Sequence, residues 1–446
     1  MSGRGVESRP DEGRGDDRAG IASEELARHY SRFRVSERVL LTGHSHQAWP
    51  DVAFEAQQQA WLDAAEMVDD KWGRAFEVAE EVRAGYRRLL DDPDGHIALG
   101  QNTHELLIRF LSALPLRERP RLVTTDGEFN TIRRQLDRLE EEGIEVVRVG
   151  AAFVRGANKV RADGQEEAVG ARSAQAGGDS LAERLIRELD DRTAAVLVSS
   201  VLFRDARIVA GLDEVAAACA RVGAELLVDA YHSLNAVPFS VVGMGLERAF
   251  VVGGGYKYCQ LGEGNCFLRI PRDCRLRPVV TGWFAEFGAL AVAGGGGEGA
   301  RRRVMYGEGD VRFAGSTYDP VSHYRAAAVF RFFREQGLTV DRLRDASLAQ
   351  IRRLAAGVDA LDPDPRVLSR DPAVRLSQRG GFLTMETPVA GEICCKLRGH
   401  GVFADYRGRV LRLGPAPYVT GRQLDEAVAV LGEVVGGLGR GGGAGS

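Results

Sequence analysis

The sequence predicts an α/β protein, with a large domain built on a mostly parallel sheet covered by helices on both faces and a small α+β domain at the C-terminal end. Three observations predict it. Short apolar runs alternate with helix-length amphipathic stretches between Arg121 and Gly254, the pattern of strands joined by crossover helices. After Pro320 this gives way to two long helical stretches followed by short strands and further helices. The length of 446 residues exceeds what one hydrophobic core usually fills, so two domains with a ligand-holding cleft between them are expected.

Residues 1–22 are rich in Gly, Arg and Asp and too poor in apolar side chains to offset the entropy of ordering them, so a disordered tail is expected. Residues 23–75 form an N-terminal segment expected to pack on the small domain and the cleft. Val52 to Leu90 reads as one long amphipathic stretch ended by an Asp-Asp-Pro-Asp-Gly turn. The large domain, residues 76–320, offers strands at RLVTT (121–125), IEVVRV (144–149), AAVLVSS (194–200), ELLVDA (225–230) and AFVVGG (249–254). Helices are expected over 131–142, 181–189 and 212–222. Residues 150–179, without period, read as a variable surface insertion, and 293–303 as a mobile loop. The small domain, 321–435, reads as helices over 322–336 and 340–358, the strand GFLTMET (381–387), a helix over 391–399, strands ending in VLRLGPAPY (410–418) and a last helix over 422–435. A flexible Gly-rich tail, 436–446, closes the chain.

Composition excludes several classes. The formal charge is −4 with 27% charged residues, which leaves no electrostatic footprint for nucleic acid or an anionic membrane, although 55 of the 59 cationic residues are Arg. No apolar run approaches the ~18 residues of a membrane span, and the N-terminus lacks the apolar core of a signal peptide, so a cytoplasmic protein is expected. Cys219, Cys259, Cys266, Cys274, Cys394 and Cys395 form neither a disulfide framework nor zinc spacing, and no metal site is expected.

Lysine is scarce, and Lys71, Lys159 and Lys396 read as solvated or salt-paired surface. Lys257 instead follows an apolar strand and three glycines, whose missing side chains let backbone and ligand come close. An ammonium can shed its proton when its pKa falls and a guanidinium practically cannot, so a lysine kept among arginines suits covalent chemistry. A general bias towards Arg would leave the same four lysines. Asp229 ends its strand at the carboxyl edge of the sheet, where open α/β sheets hold ligands, and Lys257 follows one crossover and one strand later on the same rim. An acid and an amine so placed suit pyridoxal phosphate, although a strand-end Asp also serves as a turn or cap.

In LGQNTHELL, Asn102 and Thr103 open a helix whose free N–H groups could receive a phosphate, or simply cap it. Phe129 in DGEFNTI could stack on a planar cofactor or fill the core. Tyr256 and Ser200 could add hydroxyl contacts. Arg412 in VLRLGPAPY is the arginine placed to take a substrate carboxylate in a bidentate fork.

These pieces resemble class V members of the fold-type-I pyridoxal-phosphate-dependent enzymes, and within them kynureninase, from about residue 37 to 435. DAYHS (229–233) is similar to that family's Asp-x-x-His element and Tyr256-Lys257-Tyr258 to its Tyr-Lys-Tyr. TGWF (281–284) is similar to its Gly-Trp element, and LRLGPAPY (411–418) to its Arg-x-x-Pro-x-Pro strand. The resemblance implies a fold-type-I transferase fold with a seven-stranded-type sheet and pyridoxal 5′-phosphate as cofactor. It implies Lys257 and Tyr256 as catalytic residues, the lysine joined to the cofactor. Asp229, His232, Tyr256, Asn102, Thr103, Phe129 and Ser200 would bind the cofactor, and Arg412 would bind an α-amino acid substrate. It implies a homodimer with a shared site, in which Trp283, Ser316 and Thr317 reach the cofactor in trans, Trp283 and Ser316 also facing substrate. The reaction implied is hydrolytic Cβ–Cγ cleavage of kynurenine or a related aryl-keto amino acid to an anthranilate-type acid and alanine. β-Elimination, desulfurisation, epimerisation and transamination share its first steps, and a non-catalytic binding protein is the rival of a different class.

The departures from the family fall on the substrate side. Its Phe-Pro-Ser-Asp stretch is Phe129-Asn130-Thr131-Ile132 here, and its Tyr-Thr-Gly-Gln stretch is LFRDAR (202–207). An asparagine near the ketone is replaced by Ser316 or Thr317, and a His-rich loop by DDKWG (69–73). His44 and His46 in GHSHQAW have no counterpart. His46 is placed on the substrate side of the cleft, and both are equally readable as turn caps.

Overall fold

A computed structural model describes residues 21–151, 159–160, 166–167, 180–286, 304–372 and 375–441. All but the end of the expected N-terminal tail, most of the 150–179 insertion and the 293–303 loop lie outside the described residues.

The N-terminal segment gives a short strand β1 (Val39–Leu40) and two helices, α1 (Val52–Met67) and α2 (Lys71–Leu89), where the sequence suggested one stretch. The interruption is at Val68, whose φ of 51° is outside the helical region and closes α1. The large sheet comprises β2 (His96–Gly100), β3 (Arg121–Thr125), β4 (Glu145–Val149), β5 (Thr193–Ser199), β6 (Glu225–Asp229), β7 (Phe250–Gly254) and β8 (Cys266–Ile270). Its order is β2-β8-β7-β6-β5-β3-β4, and only β8 runs antiparallel to its neighbours. The helices α3 (Thr103–Ala113), α4 (Asn130–Glu141), α5 (Leu181–Arg187) and α6 (Leu212–Val222) cover it. All seven residues of β5 are buried, which is why it reads as an unbroken apolar run. β2 and β8 are absent from the sequence reading: β2 is a short stretch between two helices, and β8 returns antiparallel directly after the Gly-rich lysine loop instead of after a crossover helix.

The C-terminal part holds α7 (Val321–Glu335), α8 (Val340–Leu361), β9 (Leu383–Glu386), α9 (Ala390–Gly399), β10 (Val402–Phe403), β11 (Asp405–Arg407), β12 (Val410–Leu413) and α10 (Gly421–Gly441). β9, β12 and β11 form an antiparallel sheet in that order. β1 pairs parallel with β10, and Thr42 bridges Gly414, so the N-terminal segment is stitched into this part of the fold. α10 continues past the expected end at Val435 through Gly441, so 436–441 is helix and not flexible tail. Leu424, Ala427, Leu431, Val434 and Val435 form its buried stripe, and Leu438 packs against the same core, which carries the helix into the glycines. No helix among the described residues is long and apolar enough to cross a membrane.

α7 packs against α1 and α2, and at the second contact Gly85 lies directly on the ring of buried Phe330. A methyl group there has no room beside a rigid ring. Gly85→Ala is expected to cost about 1–3 kcal/mol in urea unfolding, despite the better helix propensity of Ala, because overpacking outweighs it.

Candidate active site

The carboxyl ends of β6 and β7 bring the central pair together. Asp229 is the last residue of β6, and its Oδ1 accepts the Tyr231 N–H at 2.8 Å, which turns the chain and leaves Oδ2 for another donor. Lys257 stands in a tight loop after β7, held by Gly255 N–H to Asn265 O (2.8 Å), Leu261 N–H to Gly255 O (2.8 Å) and Gln260 N–H to Lys257 O (3.0 Å). A side chain at Gly254 would strike Tyr231 and Cys266, and one at Gly255 would strike Leu261, so the glycines are required by close approach. Gln260 anchors the loop from below, accepting Tyr30 Oη at 2.5 Å and donating to Gln47 Oε1 at 2.7 Å.

The Lys257 amine is buried, 2.7 Å from His232 Nε2. It lies 4.6 Å from the centre of the Tyr231 ring, 5.4 Å from Phe129 and 5.7 Å from Tyr256. Burial pulls its pKa down to about 7; the negative charge of Asp229 opposes this, while Arg412 and Arg407 add to it. The same desolvation pushes the Asp229 carboxyl up, against the Tyr231 N–H and the lysine. The two directions agree: loss of water outweighs their mutual attraction. Burial also holds His232 well below its usual value, and its Nδ1 has no partner among the described residues. The Tyr256 hydroxyl is pushed up to about 12, so it is a proton donor at neutral pH.

The other expected residues divide into several groups. Phe129 caps α4 beside the lysine, edge-on to Phe203 at 5.3 Å. Thr103 opens α3 and its backbone reaches Cys266, which lies 3.9 Å from the Tyr231 hydroxyl. Asn102 caps α3, its Oδ1 taking the Glu105 N–H at 2.9 Å. The Ser200 hydroxyl donates to the Asp229 carbonyl (3.1 Å) and meets Ser233 Oγ (2.9 Å), bracing the strand end. His46 lies 4.9 Å from the Tyr256 ring, with Nε2 2.9 Å from Glu263, on the exposed side. Trp283, Ser316 and Thr317 form a separate exposed group, joined where Phe284 N–H meets Gly315 O at 3.1 Å.

Arg412 is buried and already engaged. Its fork, expected to be open to a substrate carboxylate, is closed on Asp405: Nε donates to Oδ1 at 2.8 Å and Nη2 to Oδ2 at 2.5 Å, while Nη1 donates to Phe203 O at 2.7 Å. His44 Nε2 reaches Asp405 Oδ1 at 2.6 Å. Burial lowers His44 to about 4, so it is a neutral donor, and the hydrogen bonds and charge around Asp405 hold its carboxyl far below the usual range. A cross-strand signal for this pair existed in the sequence. In DYRGRVLR a turn at Gly408 sets Asp405 opposite Arg412, and the register confirms it. Glu128 was also overlooked. It is buried, accepts hydrogen bonds from the hydroxyls of Ser199 (2.5 Å) and Thr125 (2.7 Å), and burial raises its pKa to about 7.

Residues 343–431 match the family described as kynureninase C-terminal domain. An uncharacterized aminotransferase, YcbU, of Bacillus subtilis is 22% identical over 372 residues, 83% of this chain and 87% of that protein. The kynureninase of Bacillus cereus is 24% identical over 269 residues, 57% of each chain, so the match spans little more than half of that enzyme. Among solved structures, the cystine C-S lyase C-DES in complex with cysteine persulfide superposes with a TM-score of 0.71 at 18% identity, covering 90% of this chain and 98% of that one. An apo cysteine desulfurase from Thermococcus onnurineus gives 0.70 at 17%, covering 93% and 98%. These likenesses support a class V pyridoxal-phosphate-dependent enzyme. The cofactor they indicate is pyridoxal 5′-phosphate.

The residues present fit that group: a buried amine near neutrality, a strand-end carboxylate with an oxygen to spare, and a buried imidazole nitrogen without a partner among the described residues. A hollow of about 630 Å³ beside His96, Ile270 and Arg312 lies at the far end of β8 and contains none of these groups. Below about pH 7 the Lys257 amine is protonated and cannot attack an aldehyde; above it the amine is free. Uptake of pyridoxal phosphate by apoprotein, followed by visible absorbance, is therefore expected to accelerate with a midpoint near pH 7. A midpoint at the ordinary lysine value would contradict the buried environment.

Proposed function

We propose that the protein is a pyridoxal-phosphate-dependent enzyme acting on an α-amino acid, with kynureninase-like hydrolytic Cβ–Cγ cleavage of an aryl-keto amino acid as its reaction. The observation that carries the reading is Lys257, a buried amine with a pKa of about 7 on the same sheet edge as the Asp229 carboxylate. The match of residues 343–431 to the kynureninase C-terminal domain supports the finer assignment.

When bound, the cofactor supplies an aldehyde that condenses with amines and a ring that draws electrons from the carbon next to the nitrogen. Lys257 would hold it, and Asp229 would keep the ring nitrogen protonated. The Lys257 amine, once free, can take or give a proton at neutral pH because burial has matched its pKa to that task. Tyr256, protonated beside it, can donate a proton or hydrogen bond, and Phe129 and Tyr231 offer ring faces. His232 holds the amine in place through Nε2. A second copy of the chain would bring Trp283, Ser316 and Thr317 to this cleft.

The solved relatives favour a second reading, C–S bond cleavage of a sulfur amino acid. Cys219, Cys259, Cys266 and Cys394 are buried, Cys395 is exposed on helix α9, and the loop cysteine Cys274 is half-buried beyond the far end of β8 with its thiol pushed up to about 11 by burial, so a lyase is the form of this reading that we favour.

Purified protein loaded with pyridoxal phosphate is expected to show a visible absorbance band that borohydride abolishes, and Lys257→Ala to lose it. Incubation with kynurenine, 3-hydroxykynurenine and cystine, with products identified by mass, separates the reactions. Anthranilate-type acid plus alanine is the expected outcome. Sulfur products with no anthranilate would replace it with the lyase reading, and a colourless protein would leave a binding protein.

A further inference from the structure

Glu128 is a buried acid to which the chemistry above gives no task. It is 3% exposed and lies in the loop between β3 and α4, at the carboxyl edge of the sheet. Desolvating a carboxyl is costly, and an ordinary turn residue would close such a loop at lower cost.

The carboxyl joins two strand ends. Oε1 accepts the Thr125 hydroxyl at 2.7 Å and the Ser199 N–H at 3.2 Å, and Oε2 accepts the Ser199 hydroxyl at 2.5 Å. Thr125 is the last residue of β3 and Ser199 the last of β5, and these strands lie side by side. Thr125 Oγ1 in turn accepts the Gly127 N–H at 3.1 Å, so the loop is closed on itself as well as on β5.

Both ends of this clamp border the Lys257 cleft. Ser199 stands opposite Asp229 in the β5–β6 register, and Ser200 after it donates to the Asp229 carbonyl at 3.1 Å. On the other side Phe129 follows Glu128 directly, and its ring centre is 5.4 Å from the Lys257 amine. A trans peptide keeps successive Cα atoms about 3.8 Å apart, so pinning Glu128 pins the point from which the Phe129 side chain departs. Phe203, edge-on at 5.3 Å, then limits where the ring can turn.

We propose that Glu128 is a positioning residue for the cofactor: by clamping the ends of β3 and β5 it sets the Phe129 ring beside the Lys257 amine, against the space that pyridoxal phosphate would fill. The inference rests on reading that cleft as a pyridoxal phosphate site. Hydrogen bonding and not charge carries the role. Burial pushes the Glu128 carboxyl up to about 7, so it is only partly ionised at neutral pH, and an amide in its place can keep all three contacts.

The test compares Glu128→Ala, Phe129→Leu and the double variant. Two quantities are read: the affinity of each apoprotein for pyridoxal phosphate, by titration, and the circular dichroism of the visible band. Each single change is expected to weaken affinity about three- to tenfold, the order of one aromatic stacking contact, and to reduce the dichroism. The double variant is expected to bind no more weakly than the weaker single one, because both changes act on the same ring. Glu128→Gln is expected to recover most of the loss, and Ser199→Ala, which removes one donor, to fall between wild type and Glu128→Ala. Additive losses in the double variant would show that Glu128 does not act through Phe129 and would overturn the assignment, as would wild-type affinity and dichroism in Glu128→Ala or in Phe129→Leu. Should Glu128→Ala fail to fold, Ser199→Ala decides: intermediate affinity and dichroism support the clamp, and wild-type values overturn it. Wild-type apoprotein that takes up no pyridoxal phosphate would defeat the cofactor reading and this inference with it, a failure distinct from one seen only in the variants.

Discussion

Removing water from one amine is the constraint on which the site depends. A lysine in solvent is an ammonium at neutral pH and has no nucleophilic lone pair; Lys257 reaches near-neutral acidity because the protein surrounds it with Tyr231, Phe129 and Tyr256 and, among the described residues, sets only a neutral imidazole within hydrogen-bond distance. Had Asp229 been placed as a tight salt partner, attraction would have restored the charge. It is instead kept at the end of a neighbouring strand, with its own ionisation discouraged by the same burial. The two groups stand on one edge of the sheet, too dry to neutralise each other as a simple ion pair.

The lysine loop needs support that the sheet alone does not give. Gly254 and Gly255 let it fold back against Tyr231 and Leu261, and Gln260, at a φ of 59°, binds Tyr30 and Gln47 from the N-terminal segment. That segment is in turn paired with β10 and bridged to Gly414, one residue beyond β12, the strand that carries Arg412. The position of the amine and the position of the arginine hairpin therefore share one set of hydrogen bonds, which is how a small α+β unit can affect chemistry that belongs to the large sheet.

Much of this was legible in the sequence, and the rest was not for identifiable reasons. Apolar strands such as TAAVLVS announce themselves because both faces are buried, and the Asp229–Lys257 pairing followed from strand alternation. β2 and β8 escaped because antiparallel return strands do not follow the crossover rhythm. Helix α10 outran its expectation because buried Val434 and Val435 carry it into glycines that would not nucleate a helix alone. At the site, residue type pointed to the right neighbourhood more reliably than to the role. Ser200 and Asn102 lie near the sheet edge and each has an oxygen engaged with backbone, and Arg412 is where it was sought, paired with Asp405. Side-chain competition of this kind leaves a trace in sequence only where a turn fixes the register, as Gly408 does for Asp405 and Arg412.

The pairing of Val39 with Val402 has a bearing on biosynthesis. A nascent chain can lay down the parallel strands in the order of translation, but the pairing that ties Tyr30 and Gln47 to their surroundings must wait until β10 has left the ribosome. Contacts of such long sequence separation are slow to close. The reactive amine thus acquires its finished setting only near the end of synthesis, when the support of its loop by Tyr30 and Gln47 is locked in.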